Sequence, residues 1–302
     1  AARSHRPAVD MSSTCWRWAL CGLPLLAAAG GHEALSVRRP EDYVNVLAGA
    51  AGGQRDGKLH STGNTLPLTA WPWGFNHWAP QSTNDPISWW FDANEDTFYG
   101  IRCTHQPSPW IGDYGWFVIR PCMGTPGNDW LGFTSYRVEN ALRPYLIDLT
   151  LGPAGVRMEF APSMHGGIVR TTFPEMMPTE KRKICFWVPE GRTWYDEDER
   201  KAGRTKKPTG RCSAGRGTIG LESRKEVGGV LEGFTLFATF TAEGLEAVEE
   251  LHSRNTDVPR QCCFLLGNAT QAEVRLGTSF ISSAQSLRAL EEEVGVKTLR
   301  DV

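Results

Sequence analysis

A chain of 302 residues, 40% hydrophobic and 22% charged, is long enough to bury one large or two modest cores and too apolar to stay disordered. A formal net charge of -2 and a pI near 6.4 exclude the electrostatic case for nucleic acid or an anionic membrane as partner. Of the 12 tryptophans, eight lie between Trp71 and Trp130, a concentration that asks for a local cause.

The chain opens with ten residues ahead of its first methionine, Met11. From there a weakly basic stretch with Arg17 leads into the apolar run Ala19 to Ala29, and the small residues Ala27 to Gly31 follow. This pattern predicts residues 1–31 to be upstream residues plus a secretory signal peptide, because the run is too short to span a membrane. The alternative is a buried N-terminal helix, which Gly22 and Pro24 would interrupt. No other segment approaches a membrane span, so the expected product is a soluble protein of the secretory pathway or the extracellular space.

The stretch from Tyr43 to Gly124 combines dense Gly and Pro with large aromatic side chains, and is expected to be mostly irregular rather than sheet interior. A pyranose has apolar C–H faces that pack on indole and a rim of hydroxyls that need fixed donors and acceptors. Trp78, Trp89, Trp90 and Trp110 are candidate platforms, and Asn64, Arg102, His105, Gln106 and Asp113 candidate rim partners. Each also has a structural reading: the tryptophans as core, Arg102 as partner of Asp92 or Asp113, His105 as a satisfied structural histidine. The carboxylates within this stretch, Asp92, Glu95, Asp96 and Asp113, could flank a glycosidic bond or cap turns.

Further along, short β-rich runs separated by turn residues predict strands at Trp116–Arg120, Tyr145–Leu151, Val156–Phe160, Gly167–Phe173, Lys183–Val188, Gly233–Thr241, Cys262–Leu266 and Ala272–Phe280. Together they argue for an all-β sandwich over residues 40–280. Glu190 to Arg211 mixes both charge signs and reads as a solvated loop. Ala242 to Ser253 reads as one helix crossing a sheet edge. Residues 281–302 change character, with Ser282 or Ser283 capping a helix whose Leu287, Leu290 and Val294 share a face opposite Glu291 to Glu293. That helix either packs on the sandwich or links to a helical domain.

Cleavage of a signal would leave Cys103, Cys122, Cys185, Cys212, Cys262 and Cys263, enough for one to three disulfides whose pairing spacing cannot assign. None of the spacings matches a zinc pattern. Cys262 and Cys263 are either opposite-facing residues of one strand or a redox pair. Asn268-Ala-Thr270 is a glycosylation sequon if the chain is secreted.

The order of Tyr43-Val-Asn45, Gly63-Asn-Thr-Leu-Pro67, Pro72-Trp-Gly74, Trp78-Ala-Pro80, Gly100-Ile-Arg-Cys-Thr-His105 and Gly112-Asp-Tyr-Gly115 resembles the amino-terminal domain of glycoside hydrolase family 92. Arg143-Pro-Tyr145, His165-Gly-Gly-Ile-Val169, Phe173-Pro174 and Gly277 to Ser282 continue the pattern, which covers roughly residues 40 to 295. Cys103-Thr-His-Gln-Pro-Ser-Pro109 departs from the commoner Ser- and Gly-rich loop.

The resemblance implies a large antiparallel β-sandwich of the supersandwich, galactose-mutarotase-like kind, followed by a linker helix and an (α/α)6 barrel. It implies a calcium-dependent, inverting exo-α-mannosidase acting on mannose-containing glycans. Both the calcium ligands and the catalytic acid and base would come from the barrel, absent from this chain, with the sandwich closing part of the sugar pocket. On that reading the chain contains no catalytic or metal-binding residue and is inactive alone. The alternatives are a stand-alone mannose-binding module, or part of a protein grouped with glycoprotein-deglycosylating amidases.

Overall fold

The computed structural model describes residues 40–50, 52–55, 58–62, 65–82, 90–93, 95–105, 115–122, 135–136, 142–188, 210–224, 234–250 and 259–302. The signal-peptide stretch and most of the Glu190–Arg211 segment lie outside them. The strands in chain order are β1 (Gly52–Arg55), β2 (Lys58–Thr62), β3 (His77–Gln81), β4 (Gly100–Thr104), β5 (Val118–Cys122), β6 (Ser135–Tyr136), β7 (Leu142–Arg143), β8 (Leu146–Gly152) and β9 (Val156–Pro162). They continue with β10 (Gly166–Thr172), β11 (Lys183–Trp187), β12 (Gly210–Gly215), β13 (Thr218–Arg224), β14 (Thr235–Thr241), β15 (Glu246–Glu250), β16 (Gln261–Leu265) and β17 (Gln271–Ser279). Among the described residues one α-helix, α1 (Ser283–Val294), follows.

Apart from the β1–β2 hairpin, these strands form two antiparallel sheets. A nine-stranded sheet runs β12-β13-β14-β17-β10-β9-β8-β6 with β7 also on β8, and a six-stranded sheet runs β15-β16-β11-β5-β4-β3. Inward residues of both sheets share one core: Trp78, Ile101, Ile119, Phe186 and Phe264 from the smaller, Leu149, Phe160, Phe240 and Leu276 from the larger. The expected all-β sandwich is therefore the fold. Each of the eight predicted strands lies on an observed one, displaced at its ends by a residue or two.

Strand alternation also resolves the adjacent cysteines. Cys262 faces the core and bonds to Cys212 of the opposite sheet. Its neighbour Cys263 faces outward and bonds to Cys185 on the adjacent strand. Cys262 and Cys263 are thus opposite-facing residues, and two disulfides fall within the expected range.

Within the stretch expected to be mostly irregular, Trp78 and Arg102 stand on the short strands β3 and β4, and Pro80 is tolerated because β3 is the edge of its sheet, where an N–H can be missing. Two expectations are corrected. Ala242 to Ser253 is not a helix: β15 occupies Glu246–Glu250 and pairs with β16, so ladder formation overrides the helix propensity of Glu, Ala and Leu. In α1, Ser282 is the N-cap, its hydroxyl accepting from the Gln285 N–H. Leu290 and Val294 are buried, but Leu287 is 37% exposed and the buried face instead includes Ser286 and Ala289.

The helix lies against β17, β14 and β10, on the outer face of the larger sheet. Gly277 makes this approach feasible, because a Cβ there would stand 2.3 Å from the Ser286 carbonyl oxygen. Among the described residues, no helix is long and apolar enough to cross a membrane.

Candidate functional site

The outward face of the six-stranded sheet carries two arginines stacked on indoles. On β4, Ile101 and Cys103 point into the core, so alternation sends Arg102 to the other side. There its guanidinium carbon lies 3.4 Å from the Trp116 ring centroid and 4.8 Å from that of Trp90. On the adjacent strand β5, Arg120 lies 5.2 Å from the Trp187 ring of β11, and Trp116, Val118 and Trp187 pack together. Arg102 and Trp90 are thus brought together, as the cluster of aromatic and polar residues implied. Both are buried, Arg102 fully and Trp90 at 1% exposure, which suits a cation–π lattice holding the sheet face rather than an open platform.

Trp78 is 0% exposed and packs between Phe117 and Phe160, 5.8 and 4.6 Å away by ring centroid. It is a core residue, and the expectation of a platform there is corrected: β3 alternation turns its indole into the sandwich. His105 packs on Phe75 and Phe280, at 5.3 and 4.8 Å. Phe75 also meets His165 at 5.4 Å, and Glu293 of α1 clamps that loop. Its carboxylate accepts from the Ser163 hydroxyl at 2.7 Å and the His165 backbone N–H at 2.9 Å, and lies 2.6 Å from His165 Nδ1.

Cys103, beside His105 in sequence, is buried in the core with its thiol 3.6 Å from Asn76 Oδ1. The Asn76 amide in turn donates to the Thr278 hydroxyl. This cysteine belongs to a buried polar network and is not presented to a substrate.

Among the described residues, the most exposed indole was not one of the platforms expected from sequence. Trp73 is 98% exposed, and its φ is 61°. The Gly74 N–H donates to the Trp71 carbonyl at 2.8 Å, closing a β-turn over Trp71 to Gly74. Proline at the second position and positive φ at the third define a type II turn, whose third position ordinarily takes Gly or Asn. A tryptophan there costs about 1–2 kcal/mol of backbone strain and gains nothing from burial. The turn abuts the Glu293 clamp, since the Phe75 N–H donates to the Met164 carbonyl. The sequence signal was the Pro72-Trp73-Gly74 order itself, a turn motif carrying an indole where the turn asks for a small residue.

Asn64, Trp89, Gln106, Trp110 and Asp113 lie outside the described residues. Asp92 is buried in a local turn: the Ser82 hydroxyl donates to its carbonyl and accepts from its N–H, and the Glu95 N–H donates to the same carbonyl. Among the described residues, the one group of three His, Cys, Asp or Glu side chains close enough to share an ion is Cys122, Cys185 and Cys263. That group offers only sulfur, whereas calcium takes oxygen ligands.

Comparison with solved structures supplies the wider context. The chain is similar to the family GH92 inverting mannosidase BT2199 from Bacteroides thetaiotaomicron VPI-5482, with a TM-score of 0.65 and 22% identity, covering 87% of this chain and 35% of that one. It is similar also to the GH92 α-mannosidase BT3965 from Bacteroides thetaiotaomicron, with a TM-score of 0.60 and 15% identity, covering 86% of this chain and 36% of that one. A third, the GH92 glycosyl hydrolase ccman5, has a TM-score of 0.60 and 14% identity over 86% of this chain and 35% of that one. At these identities the likeness concerns the fold, and the chain spans about a third of the length of each protein. A comparison with curated protein sequences finds no match. The model of the glycosyl hydrolase family 92 N-terminal domain matches residues 43–239, about two thirds of the chain. The chain belongs to glycosyl hydrolase family 92, of which it carries the N-terminal domain.

Proposed function

We propose that this domain forms the mannose-facing wall of an α-mannosidase-type glycoside hydrolase, with Trp73 as its exposed sugar platform. The observation that carries the reading is the strained, solvent-facing indole at a turn position that disfavours it. Strain retained without burial points to function, and an indole face is what the C–H side of a pyranose packs on. Inversion needs two carboxyls about 6.5–9.5 Å apart with a water between them, and the turn-bound Asp92 is a poor member of such a pair. On this reading the acid, the base and the calcium ligands are those of an (α/α)6 domain, in cis if the gene continues, that docks beside the Trp73 turn and α1. Trp71, Met164, Phe234 and Ile281 are partly or largely exposed apolar side chains available to that contact.

Calorimetric titration of the chain with an α-mannobiose, before and after Trp73→Ala, tests this. Weak binding that disappears in the variant, without release of mannose, is the expected result. Mannose release by the chain alone would overturn the division of labour, and unchanged binding after Trp73→Ala would remove the platform.

The secretory reading draws support from two disulfides and from Asn268, which is exposed in the turn between β16 and β17. Expression through a eukaryotic secretory pathway should yield a glycan-sized mass that Asn268→Gln removes. Secreted protein without that mass would sink the assignment.

A further inference from the structure

The outward face of the six-stranded sheet also carries three sulfurs in a buried group. Strands β5, β11 and β16 lie side by side and bring Cys122, Cys185 and Cys263 together, all three Sγ atoms within 4.8 Å of one another. Cys185 and Cys263 are bonded, while Cys122 is a thiol. All three are buried, and Val248 packs over them.

One amide serves two of these sulfurs. Gln261 Nε2 donates to Cys122 Sγ and to Cys263 Sγ, each at 3.7 Å. Its orientation is set by Arg120, whose Nη2 donates to Gln261 Oε1 at 2.7 Å. A guanidinium has only donors, so the oxygen must face it and the NH2 group must face the sulfurs. Cys185, on the strand between, is the sulfur that both others can reach.

We propose that these three cysteines form a disulfide exchange site, in which the bond moves between Cys185–Cys263 and Cys122–Cys185. Cys122 Sγ attacks Cys185 Sγ as its thiolate, and the proton it gives up is taken by the leaving sulfur. A Cys122–Cys185 bond forms as the Cys185–Cys263 bond breaks, and the electron pair leaves on Cys263 Sγ, which then takes up that proton. One thiol and one disulfide enter and one of each emerge, so no oxidant or reductant takes part. The Gln261 amide contacts the attacking and the leaving sulfur alike, and can therefore favour charge on either. Burial shields the group from external thiols, so exchange is confined to these three sulfurs. Exchange would transfer the covalent tie from the β11–β16 pair to the β5–β11 pair without altering the inter-sheet Cys212–Cys262 bond.

The test uses the intact chain. It is incubated at about pH 8.5, near the ordinary thiol pKa, quenched in acid, denatured, alkylated and mapped without reduction. Exchange predicts alkylation divided between Cys122 and Cys263, together with a peptide pair joined through Cys122 and Cys185. The Cys263 share should reach at least about a tenth and should vanish in Cys122→Ser. Alkylation of Cys122 with none on Cys263 would overturn the proposal. So would Cys263 alkylation that persists in Cys122→Ser, because that would report reduction rather than exchange.

Discussion

The Arg102 guanidinium carbon sits 3.4 Å from the centroid of the Trp116 ring, on the side of β4 turned away from the core. Trp90 stands 4.8 Å from the same carbon, so a fully buried cation is lodged between two indoles. Arg102→Ala would remove both cation–π contacts and leave a void between the rings, at a cost of about 3 kcal/mol. Arg102→Lys keeps the charge but loses the planar stacking surface, and should cost about half as much. Chemical denaturation distinguishes these from a purely sugar-binding role, for which stability would be unchanged in both variants.

The Cys212–Cys262 bond joins the two sheets across a sequence separation of 50. By loop-closure entropy such a bond restrains the unfolded chain by about 4 kcal/mol. Replacing both cysteines with serine should lower unfolding stability by that order, measured without reductant against the parent. A loss below about 1 kcal/mol would show that the sheets are held almost wholly by their shared core.

How much of this could be read from sequence divides along physical lines. Strands such as β8 and β14 announce themselves through alternation, because one face is buried and local residue order is enough to show it. Segments β3 and β4 did not, since Gly100 and Pro80 look like turn residues until the edge position of β3 is known. The run around Glu246 resembles a helix locally and becomes a strand only by pairing with β16. The site divides in the same way. Arg102 and Trp90 were legible as members of an aromatic and polar cluster, but their burial depends on which way β4 alternates. The partner Trp116 sits on a neighbouring segment, and the exposure of Trp73 follows from a turn rather than from composition.

Helix α1 supplies an internal comparison of one residue type. Leu290 is buried against Ile168 and Ala161, whereas Leu287 is 37% exposed. Leu290→Ala should cost about 3 kcal/mol, and Leu287→Ala about 0.5 kcal/mol. Equal losses measured by thermal or urea unfolding would mean that the helix docks on the sheet through a different face.

Trp73 makes stability and function pull in opposite directions. Its φ of 61° lies in the left-handed region, and its exposed ring returns no packing energy for the strain. Trp73→Gly removes the strain but gives back part of the gain through a more flexible unfolded chain. Asn tolerates the same conformation with less of that entropy cost, so Trp73→Asn should be the more stable of the two, by about 1 kcal/mol over the parent. Trp73→Ala, which keeps a Cβ at positive φ, should leave the stability near that of the parent. Differential scanning calorimetry reads the ranking as a rise of about 2 °C for the Asn variant. A fall in Tm for both Asn and Gly variants would mean that the indole packs on the domain after all, and the case for a retained, strained platform would go with it.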